Sequence, residues 1–131
     1  MTVTYFRNDE ENYAPVVRAR VYNVLGDREA EVEFIIDTGF QGGILIPLKT
    51  YILLDLNLFE EPKAVAQTAV GNTIELRVSR AVVEIGGSKI TCSAYTTLGA
   101  RRALLGREVL KKLGLLYKPP RELKLGGIDF S

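Results

Sequence analysis

Apolar and polar residues alternate along much of this chain with a period of two. Val17, Ala19 and Val21 are interleaved with Arg18 and Arg20, and Ala30, Val32, Phe34 and Ile36 with Glu31 and Glu33. Successive side chains of a strand point to opposite faces, so each run reads as a strand with one face buried. Gly26-Asp27 offers a turn between them, which makes the two a hairpin. Further on, Ile74, Leu76 and Val78 alternate with Glu75, Arg77 and Ser79. Ala81, Val83 and Ile85 then lead into Gly86-Gly87, and Ile90, Cys92 and Ala94 return. That pattern predicts a second meander.

Two segments depart from strand periodicity. Over Arg107 to Leu113 the apolar Val109, Leu110 and Leu113 share one helical face while Lys111-Lys112 meet water, and Gly114 is placed to end the helix. Leu48 to Leu58 is mostly apolar without clear alternation; a short helix is one reading, and a strand stays open because short apolar runs do not separate the two. Loop-like clusters are confined to Arg7 to Pro15 and Lys118 to Arg121. The expectation is a mostly β barrel carrying one short C-terminal helix, in a single domain over residues 1–131.

Composition narrows the chemistry more than the fold. With 131 residues, 47% hydrophobic and 25% charged, the chain suits one ordinary globular domain. Seventeen basic against sixteen acidic residues give a net charge of +1, so nothing favours a nucleic acid or an anionic membrane as partner. Arg101-Arg102 and Lys111-Lys112 read as solvated pairs. A lone Cys92 forms no internal disulfide, and beside Ile90 and Ala94 it reads as a buried structural thiol. The chain has no histidine, which excludes Ser-His-Asp and Cys-His catalysis in their usual forms and leaves no credible zinc set; no cofactor is expected. The N-terminus lacks a basic region ahead of a long apolar core, and no stretch has the apolar length of a membrane span. A free-standing cytoplasmic protein is the expectation.

Candidate chemistry concentrates at Phe34-Ile35-Ile36-Asp37-Thr38-Gly39, where an apolar strand runs into a carboxylate, a hydroxyl and a glycine. Asp37 at such a strand mouth is a candidate for proton chemistry. It also suits an ordinary strand exit in which the side chain hydrogen-bonds the turn backbone. Phe40-Gln41-Gly42-Gly43 then reverses the chain into the apolar Ile44-Leu45-Ile46, which Pro47 ends; far downstream, Ala103-Leu104-Leu105-Gly106-Arg107 is again an apolar strand meeting glycine.

These paired motifs, in this order, resemble the retropepsin-like aspartic peptidases, with Phe40-Gln41-Gly42 closer to the cellular and prokaryotic members than to the viral ones. The resemblance spans roughly residues 16–116. It implies an all-β closed barrel assembling as a two-fold homodimer, because one Asp-Thr-Gly per chain supplies only half of a carboxylate pair. The implied activity is hydrolysis of peptide bonds by a water held between the Asp37 of each subunit. Thr38 is implied to lock the two active-site loops, Gly39 to allow close packing under the carboxylates, and Gly106 to sit beneath the active-site loop. Val70, Gly71 and Asn72 fall where the family carries a substrate-covering flap, and Gln41 where an amide can reach substrate backbone. Ile44, Val70 and Leu104 are placed near the cleft. Gln41 departs from the viral pattern, which has an acid there opposite the arginine; Arg107 must find another partner or stay solvated. Leu123-Lys124-Leu125 is a candidate strand across the dimer. A polypeptide substrate and a second copy of the chain are the expected partners. Two other readings share the sequence: a dimeric peptide-binding module of the same fold without useful peptidase activity, and a small-ligand barrel in which Asp37 merely closes a turn.

Overall fold

A computed structural model of the chain describes residues 3–7, 13–61, 64–67 and 73–127. In order, the elements are β1 (Val3–Arg7), β2 (Ala14–Asn23), β3 (Glu29–Ile36), β4 (Ile44–Leu45), α1 (Leu48–Leu53), a 3-10 turn (Leu56–Phe59), β5 (Ala64–Gln67), β6 (Thr73–Ile85), β7 (Ser88–Thr96), β8 (Ala103–Leu105), α2 (Arg107–Leu113), β9 (Leu115–Lys118) and β10 (Glu122–Leu125).

Six strands close on themselves in the order β2-β3-β8-β4-β7-β6, with β6 returning to β2. Closure gives each of these six strands two partners, and β1 and β5 flank them. β2 serves three neighbours: β3 along one side, and on the other β1 over Ala14–Arg18 and β6 over Arg20–Asn23. Most pairings are antiparallel, whereas β3–β8 and β4–β7 are parallel. Parallel neighbours need a crossover, and here long stretches of chain separate the members of each pair.

The barrel is filled from the apolar faces of these strands. Phe34 and Ile36 of β3, Val17 and Val21 of β2, Val83 and Ile85 of β6, and Leu105 of β8 are buried in one cluster, joined by Ile44, Tyr51, Leu54, Leu56 and Val109. Fully burying one such side chain is worth about 1.5–3 kcal/mol. The opposite face of the β2–β3 hairpin pairs charge across strands. Arg18 stands opposite Glu33 and Arg20 opposite Glu31, giving N–O distances of 3.6 Å and 3.9 Å, and Arg20 also reaches the diagonal Glu29 at 2.9 Å. The alternation of arginines and glutamates seen in the sequence is thus one solvated ladder.

Several sequence expectations are refined. The Ile74–Val78 and Ala81–Ile85 runs are one 13-residue strand, β6. Leu76 and Val78 fall on the face opposite Ala81, Val83 and Ile85, and Val78 and Ser79 are both buried where one face gives way to the other. The register against β7 runs unbroken from Arg77 to Ile85, so no bulge is needed for the change. Instead of one short C-terminal helix there are α1, the 3-10 turn and α2. Pro47, at φ −57°, precedes α1, and Asp55, at φ 58°, separates it from the 3-10 turn. Tyr51, Leu54 and Leu56 from this segment plug the barrel, which explains an apolar run without strand alternation. Arg7 belongs to β1 and Pro15 to β2, so both ends of the expected Arg7 to Pro15 loop are strand. Leu123–Leu125 pairs within the chain, in the β9–β10 hairpin around Pro119-Pro120. No helix among the described residues is long and apolar enough to cross a membrane.

Candidate active site

Asp37 is placed by the last rung of a parallel ladder. Phe34 and Ile36 turn into the core, which leaves Ile35 and Asp37 on the other face of β3. The Asp37 N–H donates to the Leu105 carbonyl at 2.9 Å, extending the β3–β8 pairing by one residue. There the strand ends: the Phe40 N–H donates to the Asp37 carbonyl at 3.2 Å, and the Gly39 N–H to Asp37 Oδ1 at 2.9 Å. The half-buried carboxylate is therefore fixed by its own turn, with Thr38 and Gly39 exposed beside it. Both the turn reading and the catalytic one call for this bond. Among the described residues, the Thr38 hydroxyl makes no side-chain hydrogen bond.

The chain from Phe40 to Gly43 is held from beneath by the start of α2. The first N–H groups of a helix have no partner within it. Here the Gly106 N–H donates to the Gly43 carbonyl at 2.8 Å, Arg107 N–H to Phe40 at 2.8 Å and Glu108 N–H to Gly42 at 3.2 Å. The approach is so close that a Cβ on Gly106 would overlap the Gly42 carbonyl oxygen and lie 2.7 Å from that of Phe40. Gly43 is equally confined: a Cβ there would stand 2.5 Å from the Ser93 carbonyl and 2.7 Å from Glu108 Oε1. Phe40 packs edge-on against Tyr95, with ring centroids 5.6 Å apart.

Glu108 and Tyr95 were not singled out from the sequence. Glu108 Oε1 accepts the Ser93 N–H at 2.7 Å, tying α2 to β7 just before β4 takes up its pairing with Ala94. An acid in the first turn of a helix was the available signal, but that position is common in helices for electrostatic reasons alone. Cys92 is fully buried nearby, and desolvation, followed by the Glu108 charge, pushes its thiol up to about 12.

The remaining sequence candidates divide. Gln41 is exposed and lines a groove of about 710 Å³ with Thr38, Gly42, Arg107 and Lys111. Arg107 is solvated, with no carboxylate partner among the described residues. Ile44 is core, whereas Leu104 is half-buried and stands in register with Ile35 and Leu45 on the outward face near Asp37. Val70, Gly71 and Asn72 lie outside the described residues. Among the described residues no group of His, Cys, Asp and Glu side chains is arranged to hold a metal ion.

No family model matches the chain, and no curated protein matches it significantly. Among solved structures the chain is similar to the EIAV protease, a retroviral aspartic peptidase, in its complex with the inhibitor HBY-793. The TM-score is 0.59 at 16% sequence identity, over 79% of this chain and 90% of that one. The fold is therefore retropepsin-like.

Proposed function

We propose that this protein is an aspartic endopeptidase that works as a two-fold homodimer, with one Asp37 contributed by each subunit. The observation that carries the reading is the placement of Asp37. Its half-buried carboxylate stands at the open end of β3, on a turn braced by Gly106, in a fold similar to that of a retroviral aspartic peptidase.

One Asp37 cannot act alone, because the chemistry needs one ionised and one protonated carboxyl group at close range. In the dimer the ionised Asp37 takes a proton from a water molecule as its oxygen attacks the scissile carbonyl carbon. The protonated Asp37 hydrogen-bonds the carbonyl oxygen and gives it its proton as the carbon becomes tetrahedral, which leaves a gem-diol on that carbon. The C–N bond then breaks as the Asp37 that took the water's proton passes it to the nitrogen and the other Asp37 takes a proton back from a diol hydroxyl, releasing an amine and a carboxylic acid with no covalent intermediate. Gly39 directs its N–H at the carboxylate, and the free Thr38 hydroxyl is available to the other subunit's turn. Ile35, Leu45 and Leu104 supply apolar surface beside the reacting groups.

The test is cleavage of an unbiased peptide mixture by wild type and Asp37→Asn, over a range of pH and enzyme concentration. Activity lost in the variant, falling per subunit on dilution and bell-shaped with pH, is the expected result. Cleavage that survives Asp37→Asn refutes the mechanism. Peptide binding without cleavage by wild type identifies a dimeric binding module instead.

A further inference from the structure

The groove beside the active-site turn carries a charge arrangement that neither the fold nor the proposed hydrolysis requires. Arg107 and Lys111 are four residues apart on α2, so they share one helical face, and both are exposed along the groove. No ion pair involves either of them among the described residues. Arg107 opens the helix, where the backbone dipole disfavours a cation, so the helix itself gives no reason for its charge. Gln41, which lines the same groove, is neutral, and Glu108, the one acid among the described residues that line it, has Oε1 engaged by the Ser93 N–H. Tyr95, Leu110 and Leu115 line the same groove with apolar surface. Such surface lowers the local dielectric and strengthens attraction to an incoming anion. Thr38 and Gly42 of the active-site turn line the same groove, and Thr38 directly follows Asp37 in the chain, so the groove adjoins the candidate catalytic group.

We propose that this groove is a subsite for an acidic side chain, Asp or Glu, of the substrate polypeptide, with Arg107 and Lys111 as its specificity-determining cations. The proposal rests on the peptidase reading for the identity of its occupant. The groove's polar groups suit a carboxylate: two cations donate, and the Gln41 amide and the Ser93 hydroxyl add neutral donors. Glu108 opposes the same ligand, which sets the preference at a modest level and gives the geometry a second, opposite prediction.

Binding to the Asp37→Asn protein separates this proposal from hydrolysis. The probes are peptide libraries in which each position in turn is fixed as Glu or as Gln, the rest being an equimolar mixture. At low ionic strength one position is expected to prefer Glu by about fivefold, the scale of one partly screened ion pair, and the preference should fade in molar salt. Adding Arg107→Gln with Lys111→Gln should bring the ratio to one, whereas Glu108→Gln, which keeps an acceptor for Ser93, should raise it. Three results overturn the proposal: no position preferring Glu or no peptide bound at all, a preference that persists in the double variant, or a double variant that sediments as monomer and loses Glu and Gln peptides alike. The last would make the groove a subunit contact. Failure of wild type to cleave peptides that do bind would refute the peptidase reading alone.

Discussion

Replacing Gly106 with alanine tests how the active-site turn is held. An added Cβ would overlap the Gly42 carbonyl oxygen and lie 2.7 Å from the Phe40 carbonyl oxygen and 2.6 Å from the Phe40 ring. The ring can rotate away, but the two carbonyls belong to the chain that continues from Asp37, so relief requires that segment to move off α2. Forced overpacking of this kind costs about 1–3 kcal/mol. The movement also strains three backbone hydrogen bonds, from the N–H groups of Gly106, Arg107 and Glu108 to Gly43, Phe40 and Gly42, each worth about 1 kcal/mol. The expected loss is therefore about 4–6 kcal/mol, a large share of the roughly 5–15 kcal/mol that holds a typical domain. With a urea slope of about 1–3 kcal/mol/M, the unfolding midpoint should drop by about 2 M. Gly99→Ala is the control. Nothing lies within 4 Å of a Cβ there, but φ is +90°, so only the backbone term of about 1–2 kcal/mol applies. Urea titrations followed by circular dichroism compare the two. A Gly106→Ala midpoint equal to or above that of Gly99→Ala would refute the argument that close approach, rather than conformation, requires glycine at 106.

Stability should also fall in acid through Glu33. Its carboxyl is held below its ordinary value of 4.5, first by the hydrogen bond from the Tyr5 hydroxyl and then by Arg7 and Arg18. The folded value is the depressed one, so this contribution is complete above about pH 4.5 and is lost as the pH falls from there through the folded value. Glu33→Gln should flatten thermal stability against pH in that window, and an unchanged profile would count against the cluster. For Cys92, burial and a thiol raised to about 12 predict that the native protein resists alkylation at neutral pH. Its labelling rate should follow urea unfolding, and rapid stoichiometric labelling of the folded protein would contradict this packing.

Local pattern made the strands of the β2–β3 hairpin and helix α2 legible, because period two and period 3.6 are properties of neighbouring residues. Gly26-Asp27, Gly86-Gly87 and Gly114 punctuated those elements through backbone freedom that needs no distant partner. The same locality hid the unity of β6. Its apolar positions change face at Val78 and Ser79, which reads as two strands until β2, β5 and β7 are known to surround it.

The candidate site divides along the same line. Asp37, Thr38, Gly39 and Gly106 stand out from the sequence as types and spacings. That the Phe40 to Gly43 carbonyls accept the first N–H groups of α2, that Glu108 reaches the backbone of Ser93, and that Arg107 is solvated beside neutral Gln41 were decided in three dimensions. These contacts join segments far apart in the chain. Which donor meets which acceptor there depends on how the barrel closes, and no local periodicity encodes that geometry.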